Sequence, residues 1–573
     1  MEQKNYILKI IPIQPLPPNS PDFFLYFSPI KVENGSLVEI NFRGKNIPGY
    51  TWDSRKISEV KFIIKNLDYQ IKPIKNILIE KDILLDYQKK LAFKISRYYY
   101  LSLAYSFYLF LKYYKKCNLI NLKEKLNKNY SQFENINRRF EINFYQELTI
   151  DLINEINKYR SLIIFPVKHQ ANNFYFNFKN KIPKLIYLND ITKNSDYIFS
   201  NENYTFLGSK NIIFLPLINI EKIFVFNEGS IFYNEFFKTP KINYLELIES
   251  YAKLSKCSLN YIDNFYSLKS YIKFPKLSHP KINFISFADI SYLTKINGIK
   301  KVFVFQKNIG QKLFCLDCHY RFECQKCKNY LTIIDDSLFC NKCLIYYSIT
   351  KCPRCQGDRL YIKKIGKEFI KKYLSNHNLR FFDIESELDL KKIKNSKNND
   401  YFIIGNWQIL DIPTDYSFFI NFDVSFLSEN IFLKEKYLRI IKQLENSSKK
   451  VFVHTRLDKK FLNKIKEGII IKDIIKEREL NYLPPFCYQI KLISRLTNLE
   501  SLNYRLINIK EKLKVKIKNN EIKILGPFLE RFLKVNKRYQ MYLLLKSKKR
   551  INVKEILNGI EYIEKVEFDD YDI

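Results

Sequence analysis

Cysteines carry the clearest chemistry in this sequence. Eight of its 11 cysteines form four C-x-x-C pairs between residues 315 and 355. They are Cys315 and Cys318, Cys324 and Cys327, Cys340 and Cys343, and Cys352 and Cys355. A C-x-x-C turn aims two thiolates at one point, and two such turns complete a tetrahedral four-sulfur site. Eight thiolates therefore predict two zinc ions, although four sulfurs can also hold iron.

The spacing leaves open which pairs share a metal. The spacers between successive pairs are 5, 12 and 8 residues, and the short first spacer suits either adjacent or nested pairing. The opening residues, MEQKNYILKI, lack a long apolar signal segment, which favours the cytoplasm, where thiols stay reduced. We therefore expect metal ligands rather than disulfides.

A second candidate site follows the apolar run Ile223–Phe226, which ends in Asn227 and Glu228. Such a run is typical of a buried parallel strand. An acidic pair after a strand of this kind holds Mg²⁺ beside the nucleotide in many ATPases. Here the first acid is replaced by asparagine, so the Mg²⁺ position lacks one charge.

A phosphate-binding loop to face that pair is missing from the sequence. Such a loop needs glycines for close backbone approach and a lysine followed by Ser or Thr. The chain has only 13 glycines, and its Gly-Lys pairs, Gly44-Lys45 and Gly366-Lys367, are followed by Asn and Glu. The sequence predicts no ordinary ATP cradle.

The charge of the chain favours a polyanionic partner. The 96 Lys and Arg residues against 59 Asp and Glu give a net charge of +37, which suits nucleic-acid phosphates. Enrichment in Lys, Ile, Asn, Phe and Tyr is also the mark of AT-rich codons, so composition drift explains part of the charge. The uncharged run Tyr98–Leu111 is too short to span a bilayer and predicts a buried helix.

Taken in order, these features resemble the primosomal protein N′ (PriA) family of replication-restart DNA helicases. The zinc block, ERELNYLPPF at 477–486 and LGPFLERFLKVNKRYQMYLLLK at 525–546 are similar to its motifs, as is the N-terminal segment YILKIIPIQPLPP. The resemblance implies a multidomain α/β fold with two doubly wound, helicase-like lobes and a zinc-binding insertion in the second. It also implies a small β-rich N-terminal DNA-binding domain and an α+β C-terminal domain.

The implied boundaries divide the chain into five parts. They are a 3′-end DNA-binding domain at 1–84, a helical linker at 85–145, a first lobe at 146–300, a second lobe at 301–470 with its two-zinc insertion at 313–360, and a C-terminal DNA-binding domain at 471–573.

The resemblance also assigns residues to sites. The outer cysteine pairs, Cys315, Cys318, Cys352 and Cys355, would share one zinc. The inner pairs, Cys324, Cys327, Cys340 and Cys343, would share the other. The candidate DNA contacts are Asp22, Gly35, Arg43 and Lys45 in the N-terminal domain and Lys537, Arg538 and Tyr539 in the C-terminal domain.

The nucleotide motifs of the family are replaced one by one. Its Asp-Glu-Glu-His becomes Asn227-Glu228-Gly229-Ser230, its phosphate loop becomes the glycine-free FYQELTIDLINEINKYRS, and its arginine-finger segment keeps Gln443 without an arginine. Loss of an arginine finger alone lowers phosphoryl transfer about 10³–10⁵-fold. Asn227 and Glu228 therefore mark an eroded magnesium position, and no catalytic residue is predicted.

Three hypotheses follow. The first is a replication-restart factor that binds forked or single-stranded DNA, with two Zn²⁺ but without ATP-driven unwinding, in the cytoplasm and away from membranes. Other primosome or replisome proteins are its candidate partners. The second is an active ATP-dependent 3′–5′ DNA helicase, which would need the family's ATP and Mg²⁺. The third is a zinc-containing nucleic-acid-binding protein outside replication.

Overall fold

The computed structural model describes most of the chain. It covers residues 5–60, 70–112, 138–140, 148–188, 195–198, 200, 202–234, 242–274, 279–295, 301–305, 313–318, 320–326, 330–334, 337–340, 345–348, 351–362, 366–384, 400–405, 412–426, 431–517, 521–535 and 538–568. The chain divides into two compact units. The first comprises Met1–Glu141, Leu148–Asp263 and Lys549–Glu561, and the second comprises Ile142–Glu147, Asn264–Lys548 and Tyr562–Ile573.

The first unit begins with a six-stranded sheet in the order β5-β2-β1-β4-β3-β6. Its strands are β1 (Tyr6–Pro12), β2 (Phe24–Ser28), β3 (Leu37–Phe42), β4 (Lys45–Lys56), β5 (Lys72–Pro73) and β6 (Asn76–Ile79). Arg43 and Gly44 join β3 to β4 with φ of 51° and 80°. Two positive φ values in a two-residue hairpin are typical of a type I′ turn, which favours glycine. The predicted β-rich N-terminal domain is confirmed.

Two helices follow where one helical segment was expected. They are α1 (Asp86–Tyr98) and α2 (Leu103–Leu111). Tyr100 has a φ of 49°, which interrupts the helix, and the Ser102 hydroxyl then accepts the Tyr105 N–H at 3.1 Å to begin α2. Phe93 of α1 and Phe107 of α2 meet at a ring distance of 6.0 Å, so the two helices share a core.

The first unit also contains a parallel sheet in the order β7-β12-β11-β8-β10-β9. Its strands are β7 (Arg138–Phe140), β8 (Ser161–Phe165), β9 (Leu185–Tyr187), β10 (Thr205–Ser209), β11 (Lys222–Phe226) and β12 (Ser258–Ile262). The described helices of this region are α3 (Ile150–Lys158), α4 (Lys168–Phe178), α5 (Ser195–Ile198) and α6 (Tyr244–Leu254). β8, β11 and β12 are buried along their whole length, as expected of strands covered on both faces. The sheet includes β7, which the predicted boundary at 146 leaves out.

The second unit contains another parallel sheet, in the order β13-β23-β22-β14-β21-β20. Its strands are β13 (Ile285–Phe287), β14 (Lys301–Phe305), β20 (Phe381–Ile384), β21 (Tyr401–Gly405), β22 (Thr414–Phe419) and β23 (Ser448–His454). The helices around it are α7 (Leu268–Lys273), α8 (Lys367–Asn376), α9 (Phe422–Phe426), α10 (Ile431–Ser447) and α11 (Lys459–Lys466). Its core includes Val302, Ile404 and Phe418. Because β13 pairs with β23, this sheet begins before the predicted boundary at 301.

Small antiparallel sheets lie between β14 and β20 in the chain. β15 (Leu313–Cys315) pairs with β19 (Leu360–Ile362), and β16 (Thr332–Ile334), β17 (Ser337–Cys340) and β18 (Ile345–Tyr347) form a three-stranded sheet. Four cysteines and Phe322, Leu331 and Leu338 belong to one buried cluster here. The short strands and few apolar residues give this region a small core, which metals commonly reinforce.

The chain continues through α12 (Ile470–Leu480) into a four-stranded antiparallel sheet, order β25-β26-β24-β27, covered on one face by α13 (Leu499–Lys516). The strands are β24 (Tyr488–Leu496), β25 (Ile522–Val535), β26 (Arg538–Ser547) and β27 (Lys565–Phe568). The helix Val553–Leu557 belongs to the first unit. The mixed α/β multidomain prediction is therefore confirmed.

Candidate functional site

A pocket of about 290 Å³ lies in the N-terminal domain. Its wall combines aromatic, acidic and basic side chains with exposed backbone. The lining residues are Asn34, Gly35, Tyr50, Trp52, Asp82, Asp86, Lys89, Lys90 and Phe93. They come from β4, from α1 and from the loops before β3 and before α1. We call this the Gly35 pocket.

Gly35 and Asp82 determine the shape of this pocket. Gly35 has a φ of 92°, and a Cβ added to it would lie 2.3 Å from the Asp82 Cγ. The Asp82 Oδ1 accepts the Tyr50 hydroxyl at 2.9 Å and the Leu84 N–H at 3.1 Å, while its Oδ2 pairs with Lys89 at 2.9 Å. Burial, together with the Asp82 carboxylate, raises the pKa of Tyr50, so its hydroxyl remains a donor.

The aromatic side of the pocket is tied to the domain core. The Trp52 ring lies 5.1 Å from the Phe93 ring and 6.0 Å from the Phe23 ring. Both Trp52 and Phe93 are half-buried, so each keeps part of its surface available. Lys90 is exposed at the rim. The pocket therefore offers apolar surface, a fixed carboxylate and a cation to one small ligand.

Two predicted DNA residues, Arg43 and Lys45, lie together on the tight turn between β3 and β4. Both are exposed, and the Arg43 guanidinium lies 5.6 Å from the centre of the Phe42 ring. A tight turn holds these two cations close to each other on the surface. They can contact backbone phosphates, which are read by charge rather than by sequence.

Asp22 lies elsewhere. It forms an ion pair with Lys554, and it is not one of the residues that line the Gly35 pocket. Its role as a DNA contact stays a prediction. The carboxylate that the structure places beside Gly35 is that of Asp82, which sequence reasoning did not single out.

The four outer cysteines come together in the second unit. The Sγ atoms of Cys315, Cys318, Cys352 and Cys355 all lie within 4.8 Å of one another. The Cys315–Cys355 and Cys318–Cys352 Sγ distances are 3.5 and 3.6 Å. Tetrahedral Zn²⁺ with Zn–S bonds of about 2.3 Å requires sulfurs about 3.8 Å apart, so this donor set fits zinc.

Local backbone geometry builds this cluster. β15, which ends at Cys315, pairs with β19, which follows Cys352 and Cys355 in the chain. The pairing of these strands brings the two C-x-x-C turns next to each other. The Cys352 N–H donates to the Gly357 carbonyl at 2.8 Å, which closes the second C-x-x-C turn. Burial opposes ionisation of the Cys352 thiol, but backbone N–H groups of Cys355 and Arg354 favour it, and its pKa falls to about 7. A thiolate at neutral pH is the form that binds a metal.

The inner cysteines are only partly described. Cys324 and Cys340 are fully buried in the same small core, and the Cys324 Sγ lies 3.0 Å from the Tyr347 hydroxyl. Cys327 and Cys343 lie outside the described residues. The second zinc site therefore stays a prediction.

Asn227 and Glu228 lie at the carboxyl end of β11, as the sequence predicts. Asn227 has a φ of 53°, which asparagine tolerates better than most residues. Its Nδ2 donates to the Gln170 Oε1 at 3.2 Å. The Gly229 N–H donates to the Asp263 Oδ2 at 2.9 Å. Asn227, Glu228 and Asp263 are all buried.

Tyr233 closes the same end of the sheet. It is fully buried, and its hydroxyl lies 3.0 Å from the Ile164 carbonyl and 2.7 Å from the Phe226 carbonyl, on neighbouring strands. Burial, with the Asp263 and Glu228 carboxylates nearby, raises the pKa of Tyr233. Protein side chains thus occupy the strand ends where ligands of doubly wound sheets usually bind.

The predicted C-terminal contacts lie at the start of β26. Arg538 is exposed and opposes Val535 of β25, and Tyr539 is half-buried opposite Leu496 of β24. Lys537 lies outside the described residues.

Trp52, Asp82 and Lys90 were missed by sequence reasoning. Trp52 is one of only two tryptophans in the chain, and that rarity was a signal. No sequence pattern around Asp82 or Lys90 indicated a site, because these residues line a pocket only when the fold brings them close to Gly35. Among the described residues, no helix is long and apolar enough to cross a membrane.

Comparison with known proteins finds a family match in the N-terminal part of the chain. Residues 13–111 match the family model for the 3′ DNA-binding domain (3′BD) of PriA. This similarity supports a DNA-binding, replication-restart-like protein. No curated protein matches the chain. Among solved structures, the chain is similar to a Saccharomyces cerevisiae Dbp5 variant bound to Nup159, a Gle1 variant, IP6 and ADP. The match covers 63% of this chain and 91% of the chain in that structure, with 7% identity and a TM-score of 0.29.

Proposed function

We propose that this chain is a PriA-like replication-restart factor that captures the free 3′ end of a strand at forked or branched DNA, without ATP-driven unwinding. One observation carries the proposal: every residue that lines the Gly35 pocket falls inside the 13–111 match to the 3′ DNA-binding domain. A region similar to a 3′-end binder thus contains a pocket close to the size of small-ligand sites.

The pocket chemistry suits a terminal nucleoside. A base can lie against Trp52 and Phe93, since aromatic faces stack on any base. Lys90 can pair with the preceding phosphate. A carboxylate has about four lone-pair positions, and the hydrogen bonds to Asp82 use three of them. The fourth can accept a 3′-hydroxyl.

The test is a comparison of forked DNA that ends in a 3′-hydroxyl with the same fork ending in a 3′-phosphate. The phosphate removes the donor and brings an anion to Asp82. A hydrogen bond to a charged group contributes about 1.5–3 kcal/mol, so we expect the blocked fork to bind about tenfold or more weakly. Equal affinities for the two forks would contradict capture of the 3′ end.

A matched pair of variants locates the effect. Lys90→Gln removes a cation that lines the pocket, whereas Lys81→Gln removes an exposed cation of the same domain that does not. We expect Lys90→Gln to weaken binding of the 3′-hydroxyl fork several-fold more than Lys81→Gln. Equal losses would mean that the lysines act only through overall charge.

The absence of ATP hydrolysis is the second part of the proposal. It rests on the missing Gly-Lys-Thr sequence, the neutral Asn227 and the internal hydrogen bonds of Asn227 and Asp263. DNA-stimulated ATPase activity of the zinc-loaded chain tests it directly. Clear turnover that disappears in Glu228→Gln would favour the active-helicase alternative.

Zinc would have a structural role. The outer cysteines would hold Zn²⁺ and fix β15 beside β19, and the inner cysteines would hold a second ion. Further primosome or replisome partners and a cytoplasmic location remain predictions.

A further inference from the structure

A segment near the C-terminus packs on the first unit. Residues Lys549–Glu561 belong to that unit, whereas the chain on either side of them belongs to the second unit. We call Lys549–Glu561 the strap, and it lies outside the 13–111 match to the 3′ DNA-binding domain. Burial of its apolar side chains stabilises the strap in this place. These side chains are Ile551, Val553, Leu557 and Ile560.

Arg550 fixes the start of the strap to α1 and α6. Its guanidinium lies 4.6 Å from the centre of the Tyr99 ring and 5.5 Å from that of the Tyr98 ring. Arg550 also forms an ion pair with Glu246 of α6, and the Tyr99 hydroxyl lies 3.0 Å from the Glu246 Oε2. The Arg550 and Glu246 side chains are 18% and 16% exposed, so salt screens their attraction less than that of a surface pair. The strap is therefore anchored at the end of α1.

Lys554 extends the contact of the strap to the N-terminal domain. Its ammonium group pairs with the carboxylate of Asp22. Asp22 directly precedes Phe23, whose ring lies 6.0 Å from the Trp52 ring. Trp52 lines the Gly35 pocket. Contacts thus run from Lys554 through Asp22 and Phe23 to the wall of the pocket.

The strap also supports Trp52 through α1. The strap helix Val553–Leu557 packs against α1. α1 carries Phe93, which lines the same pocket and whose ring lies 5.1 Å from the Trp52 ring. The strap therefore contacts both elements that support Trp52, which are α1 and the loop before β2.

The loop before β2 is held at two points. At its start, the Tyr100 hydroxyl donates to the Asn19 Oδ1 at 2.7 Å. Asp22 follows three residues later, and within the described part of the chain its side chain pairs with Lys554. Lys554 therefore holds the end of the loop that carries Phe23.

We propose that the strap positions the aromatic wall of the Gly35 pocket, so that capture of a 3′ end depends on Lys554, a residue from the C-terminal part of the chain. The inference rests on the proposed function, because it assigns the strap to the pocket that would bind the end. Lys554 is a positioning residue, since it acts on Trp52 through Asp22 and Phe23. The alternative is that Lys554 is one more cation that attracts DNA.

The opposite charges of the ion pair separate positioning from attraction. Lys554→Met removes a positive charge and Asp22→Ala removes a negative charge, but both break the same pair. If the pair positions the pocket, each variant of the full zinc-loaded chain should prefer the 3′-hydroxyl fork over the 3′-phosphate fork less strongly than wild type. The expected loss of preference is about 1.4- to 5-fold, the range for exposed ion pairs. Weaker binding of both forks by Lys554→Met with stronger binding by Asp22→Ala would mean attraction only and would overturn the proposal.

A double variant tests whether Asp22 contacts DNA independently of Lys554. If the two residues act as a pair, Lys554→Met combined with Asp22→Ala should lose no more preference than either single variant. Losses that add would overturn the proposal. Lys554→Arg keeps the cation and should keep the wild-type preference. Lys548→Met removes an exposed lysine just before the strap and should also leave the preference unchanged.

Trp52 reports on the strap without DNA. In a Trp407→Phe background, Trp52 is the single tryptophan of the chain. Lys554→Met should shift its emission to longer wavelength and increase its quenching by acrylamide, because an indole that loses contact with Phe23 is more exposed to water. Lys548→Met should change neither property. Unchanged emission and quenching in Lys554→Met would overturn the proposal.

The two proposals fail separately. If wild-type protein binds forks with 3′-hydroxyl and 3′-phosphate ends equally, capture of the end is wrong, and altered Trp52 emission in Lys554→Met still supports positioning of the pocket wall by the strap. If wild type and Lys554→Met discriminate the two forks equally well, the strap proposal is wrong and the Gly35 pocket stands.

Discussion

Replacing Gly35 by alanine tests the geometry of the pocket against a control in the same domain. Gly35 and Gly44 both have positive φ, 92° and 80°, but a Cβ at Gly44 meets nothing within 4 Å. The left-handed conformation costs an L-residue about 1–2 kcal/mol, and alanine recovers about 0.4–1 kcal/mol of that by restricting the unfolded chain. Gly44→Ala should therefore destabilise the domain by about 1 kcal/mol.

Gly35→Ala carries an additional cost. The new Cβ would lie 2.3 Å from the Asp82 Cγ, so the carboxylate must move away from Tyr50, Leu84 and Lys89. Hydrogen bonds to a charged group are worth about 1.5–3 kcal/mol each, and partial solvation softens their loss. We expect Gly35→Ala to be about 2–4 kcal/mol less stable than Gly44→Ala.

Trp52 provides the assay. The chain has two tryptophans, so Trp407→Phe leaves Trp52 as the single reporter of the N-terminal domain. The free energy of unfolding falls by about 1.5 kcal/mol for each molar of urea. The predicted stability difference should therefore place the urea midpoint of Gly35→Ala about 1–3 M below that of Gly44→Ala. Coincident midpoints for Gly35→Ala and Gly44→Ala would refute the contact with Asp82 and the pocket shape derived from it.

Three further changes test the candidate metal site and the region around Asn227. Cys352→Ser should lower the zinc content from two ions per chain to about one by elemental analysis, because three thiolates and a hydroxyl hold zinc poorly; an unchanged content would count against the site. Asn227→Asp should restore no ATPase activity and should lower the urea midpoint, more so as pH rises, because a buried carboxyl beside Glu228 and Asp263 ionises at a cost; regained turnover would contradict the proposed loss. Tyr233→Phe should cost about 1–3 kcal/mol in urea unfolding, because the buried Ile164 and Phe226 carbonyls lose the one hydroxyl hydrogen that they share; wild-type stability would show that this hydrogen bond is unimportant.

Local sequence patterns predicted several elements correctly. The run at Ile223–Phe226 is a fully buried parallel strand, and the N-terminal domain is rich in β-strands, as expected. The uncharged run at Tyr98–Leu111 was expected to be one helix, but Tyr100 takes a positive φ there. The pattern of apolar residues does not predict this interruption of the helix, because the backbone conformation of a single residue depends on the residues that pack around it.

Other features depend on residues that are far apart in the chain. The acid beside Gly35 is Asp82 rather than Asp22, because the loop before α1 folds back on the turn before β3. Phe528 lies opposite Tyr542 because a bulge changes the register of β25 against β26. Neither partner can be read from spacing, since register and loop closure are properties of the packed sheet.

The sequence by itself determined the four C-x-x-C pairs, the basic charge and the lack of a Gly-Lys-Ser/Thr motif, since each is a matter of residue type and short-range spacing. Only the tertiary structure decided that Cys315, Cys318, Cys352 and Cys355 face one point, that Asn227 bonds to Gln170, and which carboxylate lines the Gly35 pocket. Side chains become partners through the folded backbone, and distance along the chain says little about distance in space.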